Sequence, residues 1–144
     1  MSSPEHDRAE ASRVLAHKAA EDAVAVREFS ANSEIADSII GFHAQQAVEK
    51  WLKAVMANRG LKRSRTHDIE RLLEVLEKDD SELPPARDSL DELTQYAVPL
   101  RYDQLLDVEQ LDREATVALV EEVGRWAAGE IEGGQHSEQL PRQA

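Results

Sequence analysis

The chain has 144 residues, of which 41% are hydrophobic and 32% are charged, and its formal net charge is −12. This length predicts one domain with a core of its own, and the negative charge argues against a protein that binds nucleic acid over its whole surface. The lack of cysteine excludes disulfides, thiolate metal sites and cysteine nucleophiles.

The first third of the chain predicts two long helices. The first helix is predicted from about residue 4 to residue 30, and the stretch "SANSE" ends it. The second is predicted from about residue 34 to residue 58. Ser33 or Asn32 is expected to be its N-cap, because short polar side chains accept a hydrogen bond from the first turn. Gly60 is expected to stop it, since glycine readily adopts the left-handed conformation found at helix ends.

The rest of the chain predicts a third long helix, a short helix and a final long one. Thr66 is expected to cap the third helix. The short helix is predicted from about residue 86 to residue 96. An irregular segment should follow, because Pro99 disfavours helix in the residue before it. The final helix is predicted from about residue 108 to residue 130.

These elements predict an all-α up-and-down bundle of four long helices and one short helix. The apolar residues are mostly Leu, Val, Ile and Ala, which favours packed helices over sheets. Residues 1–131 are expected to form one domain and residues 132–144 a polar, disordered tail. No apolar run suggests a signal peptide or approaches the ~20 residues of a membrane span, so we expect a cytoplasmic protein.

Basic residues are concentrated in one stretch of this acidic chain. Residues 50–71 contain seven bases and two acids, whereas residues 72–114 contain thirteen acids and four bases. On charge alone, we favour a basic surface that pairs with the acidic segment. The alternative is a local site for an anion.

A helical wheel divides the second helix into two faces. One face is expected to pack in the core and carries Ile40, Ala44, Ala47, Val48, Trp51 and Val55. The other face begins with Ile35, Ile39 and Phe42 and ends in His43, Gln46, Lys50 and Lys53. The three apolar residues of that second face predict a homodimer interface, because exposed apolar clusters often mark partner surfaces. The alternative is a central helix that is buried nearly all round.

Several segments of the chain, read in order, resemble the HEPN domain, the higher eukaryote and prokaryote nucleotide-binding domain. They are "FHAQQAVEKWLKAVM" at 42–56, "THDIERLLEVL" at 66–76 and the pair Arg101 and Tyr102. The resemblance extends from about residue 12 to residue 130. It implies a bundle of four to five helices, usually a homodimer. It also implies relatives that are nucleotide-binding modules, toxin-like ribonucleases or partners of minimal nucleotidyltransferases in two-gene, toxin–antitoxin-like systems.

The chain departs from the nuclease members of that family. They are similar to one another in an Arg-x4–6-His motif, in which the arginine holds the scissile phosphate and the histidine performs acid–base chemistry. If Arg101 is the matching arginine, the histidine should stand at 106–108, where the chain has Leu, Asp and Val. The motif is absent, which leaves enzymatic activity open. His67 and His43 remain candidate catalytic residues, with a capped turn and a dimer contact as their respective structural alternatives.

The second face of the helix and the segment after Pro99 together predict a binding site. Gln46, Lys50 and Lys53 are expected to line a polar cleft with Arg101 and Tyr102 and to bind the phosphate of a nucleotide or RNA. For Arg101, the alternative is a structural tie between its loop and an acidic helix. Five scattered histidines predict no metal site, and no cofactor is expected because the phosphate-loop and dinucleotide motifs are absent.

Three functions remain open at this level. The first is a nucleotide- or RNA-binding HEPN module that works with a nucleotidyltransferase partner. The second is a ribonuclease with a non-standard catalytic histidine. The third is a purely structural dimerisation bundle. Binding of ATP, GTP or short RNA would separate the first from the third, because a ligand that binds only the folded state raises the melting temperature.

Overall fold

Helices make up the architecture of the chain. A computed structural model describes residues 3–62, 64–97 and 110–139, and the side chains of the last range as far as residue 133. Within these residues there is no strand. There are five α-helices and one 3-10 turn: α1 Pro4–Ser30, α2 Asp37–Asn58, α3 Ile69–Lys78, α4 Arg87–Glu92, the 3-10 turn Leu93–Tyr96 and α5 Arg113–Gln139. The predicted all-α bundle is confirmed, although α3 has only ten residues, so the described part has three long helices and two short ones.

The central element of the bundle is α2, which packs against α1, α5 and the 3-10 turn. The two first helices are antiparallel, because Ser12 of α1 donates its hydroxyl to the carbonyl of Ala54 at 2.8 Å while Asp22 lies 2.9 Å from His43. The apolar face predicted from the wheel is buried throughout: Ile40, Ala44, Ala47, Val48, Trp51 and Val55. The hydrophobic spacing of the sequence therefore identified the core face of α2 correctly.

Two glycines allow aromatic rings to lie directly on helix backbones. A Cβ atom at Gly41 of α2 would stand 2.5 Å from the ring of Tyr96, and one at Gly124 of α5 would stand 2.8 Å from the ring of Trp51. No carbon atom tolerates such approaches. Gly41 thus lets the 3-10 turn pack closely on α2. Gly124 likewise lets the Trp51 ring of α2 pack closely on the backbone of α5.

The start of α2 differs from the sequence prediction. Its N-cap is Ala36 and the helix begins at Asp37, whereas Asn32 or Ser33 was expected in the capping role. The Asn32 side chain instead accepts a hydrogen bond from the Glu34 backbone amide at 2.9 Å, within the loop that precedes α2. The reason is tertiary. The Arg113 guanidinium donates to Asp37 and to carbonyls of the α1–α2 turn, which holds that turn out of the helix.

The predicted stop of α2 is confirmed, and the predicted cap of α3 is wrong. Gly60 has a φ of 72°, and its amide and that of Leu61 bond back into the last turn, which is the usual glycine-terminated helix end. Asp68 rather than Thr66 caps α3, because its side chain accepts from the Glu70 amide at 3.0 Å. The Thr66 hydroxyl accepts a hydrogen bond from the Asp68 backbone amide, so Thr66 stabilises the turn that precedes α3.

The last helix is shifted relative to its predicted bounds. It begins at Arg113, where the Asp112 side chain accepts from the Ala115 amide at 3.0 Å, and it continues to Gln139. It therefore includes residues 132–139, which were expected to belong to a disordered tail. An existing helix gains one hydrogen bond for each added residue, and the next proline in the sequence is Pro141. No helix in the described ranges is long and apolar enough to cross a membrane.

The substitution Gly41→Ala tests the close packing of Tyr96 on α2. Alanine favours a helix interior by about 1 kcal/mol over glycine. At this position, however, the added methyl group collides with the ring, and such overpacking costs about 1–3 kcal/mol. We therefore expect a lower free energy of unfolding, measured by urea denaturation. The matched control is Gly129→Ala, where a Cβ meets nothing within 4 Å and stability should rise. A stabilised Gly41→Ala variant would contradict the packing described.

Candidate functional site

Two nearly buried carboxylates organise the polar side of α2. One is Asp22, whose side chain is 12% exposed and which comes from α1. The other is Glu49, whose side chain is 6% exposed and which belongs to α2 itself. Buried carboxylates require hydrogen-bond donors. The polar residues of α2, together with one histidine from the loop before α3, supply these donors.

The first group, here called the Asp22 cluster, consists of Asp22, His43 and Lys50. The Nδ1 atom of His43 lies 2.9 Å from one carboxylate oxygen, and the Nζ atom of Lys50 lies 2.5 Å from the other. The His43 ring is 28% exposed and packs edge-on against Phe29 and Phe42, with ring centroids 5.5 and 5.4 Å away. This cluster joins α1 to α2, and the contacts of His43 are those of a structural residue.

The second group, here called the Glu49 cluster, consists of Gln45, Glu49, Lys53 and His67. Lys53 donates to Oε2 of Glu49 at 3.1 Å. On Oε1, the Gln45 amide donates at 2.9 Å and the Nδ1 atom of His67 lies at 2.9 Å. The His67 side chain is 58% exposed, so a buried carboxylate holds an imidazole ring that faces the solvent.

The charge of Glu49 determines which nitrogen of His67 carries a proton. Burial raises the pKa of Glu49, but hydrogen bonds from Gln45, His67 and Lys53 outweigh it and leave the pKa below its usual value. At neutral pH the group is therefore a carboxylate, which only accepts hydrogen bonds. It follows that Nδ1 of His67 is the donor. In the neutral ring, Nε2 then presents a lone pair, which suits a general base, and on protonation it becomes a donor for an anion.

The three described residues of the predicted cleft, Gln46, Lys50 and Lys53, are divided between these two clusters. The side-chain amide of Gln46 donates to Oε1 of the Gln45 side chain at 2.8 Å and so contacts the Glu49 cluster. Lys50 belongs to the Asp22 cluster and Lys53 to the Glu49 cluster, so each lysine has a carboxylate partner within the chain. Arg101 and Tyr102 lie outside the described residues, and their part in a cleft remains a prediction.

The predicted dimer interface has a mixed environment. Ile35 packs against the hydrophobic core of the same chain. Phe42 is half-buried beside His43. Ile39 is 46% exposed. Part of the second apolar stripe thus has an intramolecular role, and Ile39 is the member most open to a partner.

Sequence reasoning missed the three residues that organise the site: Asp22, Gln45 and Glu49. For Glu49 a signal existed, since Glu49 and Lys53 stand four residues apart on one helix and such pairs interact. For Asp22 no signal existed within α2, because its partners are 21 and 28 residues away in the sequence.

The basic stretch is partly neutralised and partly free to face solvent. Arg59 pairs with Asp79 at 2.7 Å, which agrees with a basic surface that binds the acidic segment. Lys62 and Arg65 are exposed on the loop that carries His67. In the described part of the chain, no group of His, Asp and Glu residues is suited to hold a metal ion.

A separate groove of about 470 Å³ lies between α4, the 3-10 turn and α5. It shares no residue with either cluster, and its lining includes Glu92, Asp112 and Glu122. Three carboxylates repel a phosphate. The Glu49 cluster, next to exposed bases, is the better candidate site for an anionic ligand.

The chain is similar to a known protein family. The family model described as the HEPN domain matches residues 12–131, a range that includes both clusters. No curated protein matches the chain at a significant level, and the same is true of solved structures.

The substitution Glu49→Gln tests the ionised state of this carboxylate. Because the pKa of Glu49 is lower in the folded state than its ordinary value of 4.5, the group stabilises the fold above that pH. We expect the variant to be less stable than the wild type by about 1–3 kcal/mol at pH 7. The difference should shrink as the pH falls below about 4.5, because Glu49 of the wild type then becomes protonated.

Urea unfolding at several pH values measures this difference. The matched control is Glu74→Gln, which changes an exposed carboxylate of α3 and should have little effect. A stability difference for Glu49→Gln that stays constant from pH 7 to pH 3 would show that the carboxylate is not the anion described.

Proposed function

The chain belongs to the HEPN domain family, and from that premise we propose that it binds a nucleotide or RNA through the Glu49 cluster and the loop before α3. The observation that carries the proposal is the exposed His67 ring held by the buried carboxylate of Glu49. A restrained imidazole beside exposed bases is a suitable set of donors for a phosphate, because the donors are oriented before the ligand arrives.

Local charge identifies the groups that would attract the phosphate. Lys53 and Glu49 cancel each other, so the positive field would come from Lys62, Arg65 and a protonated His67. Lys50 contributes less than the sequence suggested, because Asp22 neutralises it. The proposed ligand is therefore bound by its phosphates, with an affinity that falls as the salt concentration rises.

The tryptophans give this site no platform on which bases would stack. Trp51 is buried against Gly124, and the indole of Trp126 donates to the carbonyl of Glu82. Stacking on aromatic rings is how many proteins hold single-stranded bases. Contacts to the backbone, with little preference for sequence, are the mode of binding that these residues support.

A second candidate function is a ribonuclease that uses His67. The carboxylate on Nδ1 leaves the Nε2 lone pair exposed, which is the arrangement of a general base oriented by an acidic residue. That nitrogen would take the proton of a ribose 2′-hydroxyl, whose oxygen would attack the adjacent phosphorus and expel the 5′-oxygen. His43 is less suited to this role, because its ring lies between Phe29 and Phe42.

A nucleotidyltransferase partner in a two-gene, toxin–antitoxin-like system is part of the same proposal. It rests on the family resemblance, whose members include partners of minimal nucleotidyltransferases. It also rests on the missing Arg-x4–6-His motif, because a chain without the nuclease motif suits the role of a binding partner. A gene for a small nucleotidyltransferase next to the gene for this chain would support the idea. A failure of such a protein to bind this chain in a pull-down with both purified proteins would oppose it.

The binding proposal is tested with a fluorescein-labelled uridine 12-mer RNA and with ATP. We expect His67→Ala to weaken RNA binding by about 1.5–3 kcal/mol, the contribution of one hydrogen bond between charged groups. The double variant Lys62→Ala/Arg65→Ala should weaken binding and reduce the slope of log affinity against log salt by about one for each phosphate that is no longer bound. Fluorescence anisotropy measures both effects, at one fixed salt concentration and over a salt series.

The matched control removes a positive charge far from the site. Arg125→Ala is suitable, because Arg125 is exposed and adjoins Trp126, which contacts Glu82 beyond the C-terminal end of α3, whereas His67 precedes the N-terminal end. Arg87 would be an unsuitable control, because it pairs with Glu70 and Glu77. No binding by the wild type, or equal losses in the control, would reject the proposal. Cleavage of the RNA that disappears in His67→Ala would favour the ribonuclease.

Homodimer formation, proposed from the exposed part of the second stripe, is tested with Ile39→Glu. Ile39 is 46% exposed, so a charge there leaves the core intact while it opposes burial in an interface. We expect a folded, helical monomer by circular dichroism and light scattering, where the wild type is a dimer. The control is Val75→Glu on α3, a similarly exposed apolar site outside the stripe. A wild type that is monomeric at high micromolar concentration would reject the dimer.

A further inference from the structure

Gln45 of α2 is a fully buried polar residue whose hydrogen bonds all lie within the candidate site. Its Nε2 atom donates to Oε1 of Glu49 at 2.9 Å and to the backbone carbonyl of His67 at 3.1 Å. Its Oε1 atom accepts from the Gln46 amide at 2.8 Å. One side chain therefore binds the carboxylate that holds the His67 ring and also the backbone of the same histidine.

The orientation of the Gln45 amide follows from its neighbours. A carboxylate oxygen and a backbone carbonyl both accept hydrogen bonds, so the group between them has to be the NH₂. The flipped amide would direct its oxygen at two acceptors and its NH₂ group at the donor of Gln46, so all three hydrogen bonds of Gln45 would be lost. Both hydrogens of the NH₂ group and the amide oxygen are engaged, which is the satisfied state expected of a buried glutamine.

We infer that Gln45 is a positioning residue that keeps His67 protonated on Nδ1 and directs its Nε2 atom outward; this inference rests on the proposed role of His67 in ligand binding. The His67 side chain is largely exposed, and in the described residues its ring has one hydrogen-bond partner, Glu49. An imidazole ring that is held by a single hydrogen bond can rotate when either its own backbone or the residue at the other end of that bond moves. Gln45 restrains both, so the ring is ordered before a ligand binds.

The substitution Gln45→Met tests the inference, because methionine is close to glutamine in length but makes no comparable hydrogen bond. Long-range ¹H–¹⁵N NMR spectra of the imidazole report directly which nitrogen carries the proton. We expect the neutral wild-type ring to be protonated on Nδ1 and the variant ring to give an average of both forms. Affinity for the labelled uridine 12-mer should fall by up to about tenfold, the effect of freeing a restrained side chain.

The matched control is Ser12→Ala, which removes another buried hydrogen bond, one between α1 and α2. Ser12 bonds the carbonyl of Ala54 and touches neither cluster, so this variant should lose stability yet keep the His67 spectrum and the RNA affinity. The effect of Gln45→Met on affinity should also vanish when it is introduced into His67→Ala. If Gln45→Met does not fold, Gln45→Asn, which keeps the amide but shortens its reach, is measured in the same way.

The outcomes separate this inference from the proposed function. A wild-type tautomer and affinity in the Gln45 variant would overturn the positioning role, as would an equal loss of affinity in the His67→Ala background. If the wild type binds no RNA, the proposed function fails. The NMR spectra still decide the positioning role in that case, since a changed tautomer supports it and an unchanged one rejects it.

Discussion

The buried carboxylate of Glu49 is the constraint on which the polar part of this structure depends. An ionised group that is nearly removed from water is tolerated only where donors surround it. Gln45, Lys53 and His67 provide those donors, and they come from two segments of the chain. The need to satisfy one charge therefore determines where the loop before α3 lies against α2, and with it the position of the exposed imidazole.

The Asp22 cluster applies the same physical rule to the pairing of α1 with α2. Apolar packing between two helices is non-directional and tolerates a sliding register. Asp22 accepts from His43 and Lys50 at the same time, and a shift in register would break both bonds. The polar side of α2 thus contributes to the specificity of the fold. Its two lysines, Lys50 and Lys53, pair with carboxylates of the same chain.

These pairs also change the location of the expected binding chemistry. The helical wheel of α2 predicted that Lys50 and Lys53 bind a phosphate. Both lysines are neutralised by carboxylates, so among the described residues of this region His67 and the exposed loop bases Lys62 and Arg65 are the groups available to a phosphate. An oriented imidazole differs from a lysine in chemistry as well as position, because one ring nitrogen donates to Glu49 while the other presents a lone pair. For this reason the same geometry supports a binding site and, as the second candidate, an acid–base site.

The sequence by itself determined the helical class, the core face of α2, the stop at Gly60 and the family resemblance, because apolar spacing, glycine at a helix end and a motif are local patterns. Only the tertiary structure decided that Asp22 faces His43 and Lys50, that Asp37 begins α2 in contact with Arg113, and that Glu49 holds His67. A helical wheel gives the angle of a side chain on its own helix. It contains no information about which neighbouring helix or loop lies at that angle, and a buried charge takes its partner from whichever neighbour is there.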